Sequence, residues 1–334
     1  MKTDEDKINV VQLGDSYSSG NGANSYYETI CHRSFENYGN QAAASIGANY
    51  RNVACGNAVG ANLLDQPQYL GKMSFVTRGY YLPTSTYPDQ AAEWMNRVKA
   101  ENRCGAVPID NAFWEYRMVA PAPAGDLFTA TLECHLYNDA QLNAVTPQTD
   151  AVFLTIGGND ANFVGIVLHC FVLRNAGSCN TRMEEGKKVA STVAPDLLKR
   201  IFTEIERRSE GNARVYLLNY PDLLNTDSYV LPEGPAGWYN VGNQLRALQT
   251  DYDTAQSTAV TKMNTLTKSN RYNFVDVKPA FAGHGLDPYI FASQAHSWIV
   301  PPLSNFSMSS YMHPTQTGWN AEAAVLSERI KADF

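Results

Sequence analysis

The stretch INVVQLGDSYSSG, residues 8–20, decides the fold. Its first six residues form an apolar-rich run of the kind that makes a buried strand. GDSYSSG then breaks the run with glycine, aspartate and serine. A strand that ends in small polar residues reads either as an ordinary turn or as a loop presenting a nucleophile. The rest of the chain separates the two.

Four further runs are β-rich and bounded by turn residues: NYRNVA (49–54), AVFLTI (151–156), ARVYLLNY (213–220) and YNFVDV (272–277). Helical patterns cover about 34–46, 91–100, 194–208 and 242–268, and a last one follows Pro314. In the third of these, Leu197, Leu198, Ile201 and Ile205 recur at helical spacing. In the fourth, Leu245, Leu248, Ala255, Ala259 and Met263 share one side. Strands alternating with helices specify a parallel sheet with right-handed crossovers and helices on both faces. The stretch from the second run to the third is too long for one crossover. Residues 65–146, with Cys104, Cys134, several prolines and many aromatics, are therefore expected as an insertion within a single domain spanning 1–334. Residues 278–312 form a second long excursion, rich in glycine and proline.

Composition narrows the class. The chain has 334 residues, 44% of them hydrophobic and 18% charged, which describes a folded protein. A net charge of −7 argues against a nucleic-acid partner, which calls for a basic stripe. The longest apolar patch, NFVGIVLHCFVL (162–173), is too short to span a bilayer and contains a histidine. The run from Phe163 to Leu173 reads either as an acyl-pocket lining or as a core helix. The tyrosines and tryptophans read as core, with sugar stacking as the alternative.

The six cysteines form no C-x-x-C pair, so zinc-ribbon and thioredoxin readings are weak. Neighbour pairing (Cys31 with Cys55, Cys104 with Cys134, Cys170 with Cys179) is the simplest of the possible disulfide sets, each worth roughly 2–4 kcal/mol. Six buried thiols are the alternative. The sequon Asn305-Phe306-Ser307 and the even cysteine count favour an extracellular protein. The polar start MKTDEDKINV has no apolar leader core, as expected of a mature secreted chain.

In open parallel sheets, ligands bind beyond the carboxyl ends of the strands. GDSYSSG follows the first run, ACGNAVG (54–60) the second and GGNDANF (157–163) the third. SSYMHPTQTGW (309–319) leads into the C-terminal helix. Together they supply a serine, free backbone N–H groups, an asparagine amide and a histidine. Acyl transfer needs that inventory: a nucleophile, a base and donors for the developing oxyanion.

These blocks, Gly14-Asp15-Ser16, the small residues around Asn57, Gly157-Gly158-Asn159-Asp160 and His313-Pro314, resemble those of the SGNH hydrolases, the GDSL esterases and lipases. CHRSFENYG (31–39) and NVAC (52–55) are similar to patterns of secreted actinobacterial and fungal members. The resemblance implies a flavodoxin-like three-layer α/β/α sandwich with a five-stranded parallel sheet. It implies a carboxylic-ester hydrolase acting on a small-molecule, lipid or acylated-carbohydrate ester, with no metal or organic cofactor. The α/β-hydrolase pattern G-x-S-x-G does not fit, since Ser18 stands where its second glycine belongs.

By the same resemblance Ser16 is the nucleophile and His313 the base. Asn159 and the Ser16 N–H are oxyanion donors, with a third N–H near Asn57 in place of the usual glycine. Asp15 is expected to brace its own loop. Where the family carries an aspartate three residues before the histidine, this chain has Ser310. The favoured reading is a Ser–His dyad with the imidazole oriented by the Ser310 carbonyl. Asp287 reaching in, or a chain that binds without turnover, are the alternatives, as is an acyltransferase or a non-catalytic carbohydrate- or lipid-binding protein on the same fold. His32, His135, His169, His284 and His296 lack metal-ligand spacing and read as structural.

Overall fold

The computed structural model describes residues 7–76, 80–81, 87–119, 127–128, 131–289, 292–301 and 308–334. The sequon at 305–307 lies outside them. The chain divides into two compact units, one of residues 1–65 and 141–334, the other of residues 66–140.

The first unit is built on five parallel strands: β1 (Asn9–Gly14), β2 (Asn49–Asn52), β6 (Ala151–Thr155), β7 (Arg214–Leu218) and β10 (Tyr272–Val275). Their order across the sheet is β2-β1-β6-β7-β10. Val10 pairs with Ala151 and Gly14 with Thr155, so β1 and β6 end level with one another. The chain leaves β1 toward β2 and later returns to β6, so the strand order reverses between β1 and β6. A ligand crevice forms at such a reversal.

Alternation along the strands fills both faces. Val10, Phe153 and Tyr216 belong to one buried cluster with Tyr38 of α2 (Tyr38–Ser45) and Trp319 of α9 (Gln316–Lys331). Val11, Leu13, Val152, Leu154, Val215 and Leu217 form the other cluster, packed against α3 (Gly60–Leu64), α7 (Ala194–Arg208) and the later turns of α8 (Val241–Thr267). Every residue of β6 is buried, which is why AVFLT is continuously apolar where an exposed strand would alternate.

Local chemistry sets the helix ends. Pro195 sits in the first turn of α7, and Arg207 and Arg208 lie in its last, where cations complement the helix dipole. The pattern expected over 34–46 narrows to α2, because the Asn37 side chain caps the helix by accepting from the Asn40 N–H. One long helix, α6 (Ala176–Thr192), was not expected from the sequence.

The second unit falls within the stretch 65–146 expected as an insertion. It holds an antiparallel sheet of β3 (Gln68–Val76), β4 (Ala112–Val119) and β5 (Thr131–Asn138), with β5 in the middle, and the helix α4 (Tyr87–Ala100). Its own core is Trp94, Val98, Cys104, Leu132 and Cys134. Tyr137 lies between Tyr69 and Phe113 in a cross-strand aromatic row, with ring centroids 5.4 and 5.6 Å apart. The unit ends at residue 140, short of the expected boundary near 146. The turn Gln141–Ala144 belongs instead with the sheet. The Gln141 amide accepts from the Gly14 N–H at 2.6 Å and donates to the Gly14 carbonyl at 2.9 Å, pairing the main chain where β1 runs out.

The disulfides are Cys31–Cys55, Cys104–Cys134 and Cys170–Cys179, the neighbour pairing, and no cysteine is free. Among the described residues no helix is long and apolar enough to cross a membrane.

Candidate active site

Ser16 opens the one-turn helix α1 (Ser16–Ser19) at the end of β1. Asp15 is its N-cap and accepts from the Tyr17 N–H at 2.9 Å. Gly14 has φ +125°, and a Cβ there would stand 2.3 Å from the Thr155 carbonyl oxygen and 2.6 Å from Ser18 Oγ. Only glycine fits. Ser18 is structural: its hydroxyl accepts from the Thr155 N–H and bonds the hydroxyls of Tyr38 and Thr155.

His313 stands on the far side of the serine. Its Nε2 lies 2.7 Å from Ser16 Oγ, and its Nδ1 lies 3.1 Å from the Tyr311 carbonyl. With Nδ1 protonated toward that carbonyl, Nε2 is the acceptor for the serine proton. The expected partner, the Ser310 carbonyl, accepts the backbone N–H of His313 at 3.1 Å and acts on the imidazole less than the Tyr311 carbonyl does. The reason is local: residues Met308–Ser310 form a 3₁₀ turn, and Met312 takes a left-handed φ of +66°, which brings the Tyr311 carbonyl under the ring. The Tyr311 carbonyl thus joins that of Ser310 as a main-chain group acting on the imidazole. Burial pushes the His313 imidazole down to about 4, while the carbonyls of Tyr311 and, less, Ser310 pull it up. It is neutral at physiological pH.

The loop that carries His313 is pinned to the serine's own helix. The Tyr17 hydroxyl donates to the Met312 carbonyl, and its ring lies 4.9 Å from the imidazole. The Asn21 amide donates to the Ser309 carbonyl at 2.7 Å. Asp287 does not reach this site: its carboxylate accepts the Tyr289 N–H at 3.0 Å.

Of the expected oxyanion donors, three keep an N–H unspent among the described residues. The Ser16 N–H, first of the helix, has no hydrogen-bond partner among the described residues. In the block 55–60, Cys55, Gly56, Ala58, Val59 and Gly60 each donate their N–H to a named acceptor. Asn57, exposed and left-handed at φ +63°, has none. Asn159 donates to the Ala58 carbonyl at 2.9 Å, which fixes its amide plane and leaves a second N–H. Ser16, Tyr17, Gly158 and Asn159 line the same cavity.

No family model matches the chain. It is similar to Lipase 1 of Streptomyces coelicolor, 25% identical over 240 residues, a match covering 70% of this chain and 76% of that protein. A lipase of Streptomyces rimosus is 28% identical over 182 residues, 53% of this chain and 59% of that one. The structure of the extracellular S. rimosus lipase superposes with a TM-score of 0.60 at 21% identity, covering 96% of this chain and 99% of that chain. Phospholipase A1 of Streptomyces albidoflavus gives 0.61 at 20% identity, with coverage of 96% and 99%. The chain is thus similar to lipases of the SGNH hydrolase family and shares their fold.

The cavity beside Ser16 is walled by Ala161, Phe163, Ile166, Leu245, Leu248 and Tyr252. The run 163–173 is both of the things expected of it. Phe163 and Ile166 line the cavity, whereas Cys170 and Phe171 are buried in the core, the first tied to Cys179. The segment is a short helix, α5 (Phe163–Ile166), continued by a π-helical turn over Val167–Val172.

Sequence reasoning missed three groups around the site. Gln141 holds Gly14, as above. Tyr220, two residues beyond β7, donates to Asp15 Oδ2 at 2.5 Å and accepts from the Gly158 N–H at 3.0 Å. Asp15 also accepts from Thr155 Oγ1 at 2.9 Å. Burial raises its carboxyl to about 6 against the pull of those donors. Glu322 of α9 is buried with neither carboxyl oxygen hydrogen-bonded, and burial holds it well above the usual carboxylate range. Nothing in the sequence marks a tyrosine inside a strand run or a glutamate inside a helix as buried. Among the described residues no cluster of His, Cys, Asp and Glu could hold a metal ion.

Proposed function

We propose that the protein hydrolyses carboxylic esters through an acyl-enzyme on Ser16. The observation that carries this is the 2.7 Å pairing of Ser16 Oγ with a neutral imidazole whose other nitrogen faces a main-chain carbonyl. Ser16 Oγ attacks the ester carbonyl carbon as its proton passes to His313 Nε2. The oxyanion is held by the N–H groups of Ser16 and Asn57 and by the Asn159 amide. When the tetrahedral adduct collapses, the C–O bond to the alcohol breaks and Nε2 returns the proton to the leaving oxygen. Water then repeats the sequence, His313 taking its proton, and the acid and Ser16 are released.

The Tyr311 and Ser310 carbonyls do the orienting work of a triad carboxylate. They fix the tautomer and stabilise the imidazolium less than an anion would. The apolar cavity supports an ester with a hydrocarbon acyl chain, in keeping with relatives that are a lipase and a phospholipase A1. Three disulfides support a protein that works outside the cell.

Hydrolysis of p-nitrophenyl esters from acetate to palmitate by wild type and Ser16→Ala tests the reading. The expected result is turnover by wild type and a loss of about 10⁴-fold or more in the variant. Equal rates would overturn it.

A further inference from the structure

Resting on the ester-hydrolase reading, we propose that Tyr220 is a positioning residue that sets the spacing of the two oxyanion donors belonging to neighbouring strands. Ser16 follows β1 and Asn159 follows β6, so the two donors sit on separate loops. A tetrahedral oxyanion needs both within hydrogen-bond range at once. One side chain is bonded to both loops. The Tyr220 hydroxyl donates to Asp15, the residue before Ser16, at 2.5 Å, and accepts from the N–H of Gly158, the residue before Asn159, at 3.0 Å.

The surroundings leave that hydroxyl little freedom. Its ring meets Tyr17 edge-on at 5.0 Å between centroids. A Cβ on Gly158 would stand 3.2 Å from both Cζ and Oη of Tyr220, so the phenol packs tightly against this block's main chain. Gly157 is packed in the same way: Tyr252 donates to its carbonyl at 2.9 Å, and a Cβ there would stand 2.8 Å from that ring. The asparagine block is therefore registered by two tyrosines, of which Tyr220 alone is also bonded to the nucleophile's loop. Tyr220 reaches this point from β7, beyond β6 as seen from β1. It contributes no atom to the reacting groups and acts through Ser16 and Asn159.

A double-mutant cycle on the full chain tests this, with p-nitrophenyl butyrate as probe and thermal melting as the folding control. Tyr220→Phe keeps the ring and deletes only the hydroxyl. The expected result is a kcat lowered by about 30-fold, with KM within about twofold, because the lost interaction works in the transition state. In an Asn159→Ala background the same change costs no more than about threefold, since the donor it registers is gone. Equal fold-losses in the two backgrounds, or an unchanged kcat in Tyr220→Phe, would overturn the proposal. Should Tyr220→Phe melt below the assay temperature, Gly158→Ala carries the same cycle by pressing a methyl group against the phenol. Ser16→Ala is run alongside. If it keeps full activity, the ester-hydrolase reading has failed; if it is inactive while Tyr220→Phe is normal, only the role of Tyr220 has.

Discussion

The two halves of the Ser16–His313 pair are held by different means. The serine corner rests on a side-chain carboxylate: Asp15 accepts from Tyr17, Thr155 and Tyr220, which belong to α1, β6 and the chain beyond β7. The histidine loop rests on main chain, with imidazole on the Tyr311 carbonyl, the Ser310 carbonyl on the His313 N–H, and Tyr17 on the Met312 carbonyl. The Asp15 carboxylate thus lies beneath the nucleophile and not behind the base. A dyad of this kind spends its buried charge on keeping the nucleophile's loop rigid and leaves the base to polar but uncharged partners.

Removing the carboxylate breaks the comparison most directly. Asp15→Ala strands three buried donors and is expected to cost about 3 kcal/mol of stability, read by urea denaturation at neutral pH. Asp287→Ala, at the carboxylate that does not reach His313, is expected to cost about 0.5 kcal/mol or less. Equal costs would mean that the two halves are built alike.

The pH dependence of kcat/KM sharpens the contrast. The imidazole has to be neutral to accept the serine proton, and burial has pushed it down to about 4. Activity is therefore expected to hold as pH falls from 7 to 5 and to drop about tenfold per unit below 4. A limb near 6, where Asp15 takes up its proton, would shift control to the serine corner.

The smallest expected effect concerns Glu322, a carboxyl with no hydrogen-bond partner among the described residues. Its folded pKa is raised above the unfolded value of about 4.5, so its contribution to stability is whole below that pH and is lost as pH rises. Glu322→Leu is expected to gain about 1–2 kcal/mol at pH 8 and less at pH 4, measured by chemical denaturation at both. A gain of the same size at both would show that ionisation is not the cause.

Much of this was legible in the sequence. The five runs became the five strands because buried parallel strands are mostly apolar and end in turn residues; Ser16 and Asn159 follow two of the ends so marked, and His313 precedes the last helix. The rest was hidden for physical reasons. The second unit's strands alternate aromatic and charged residues around a disulfide, and their pairing is settled by contacts distant in sequence. Helix α6 has no apolar stripe to announce it: Ala176, Cys179, Met183, Gly186 and Ala190 are its buried face, and three of those are nearly without side chain. A main-chain carbonyl has no residue type, so Ser310 and Tyr311 could not be told apart before the 3₁₀ turn was seen. Tyr220 and Gln141 act across strand order, which spacing along the chain does not encode.

The three disulfides join cysteines 24, 30 and 9 residues apart, and no bridge spans or crosses another. A chain emerging from its amino end into an oxidising compartment can close each bridge with the cysteine just before it, with no mispaired intermediate to undo. Oxidative maturation then depends on a supply of oxidant more than on disulfide shuffling, which makes a simple oxidising export route a suitable host for producing this protein.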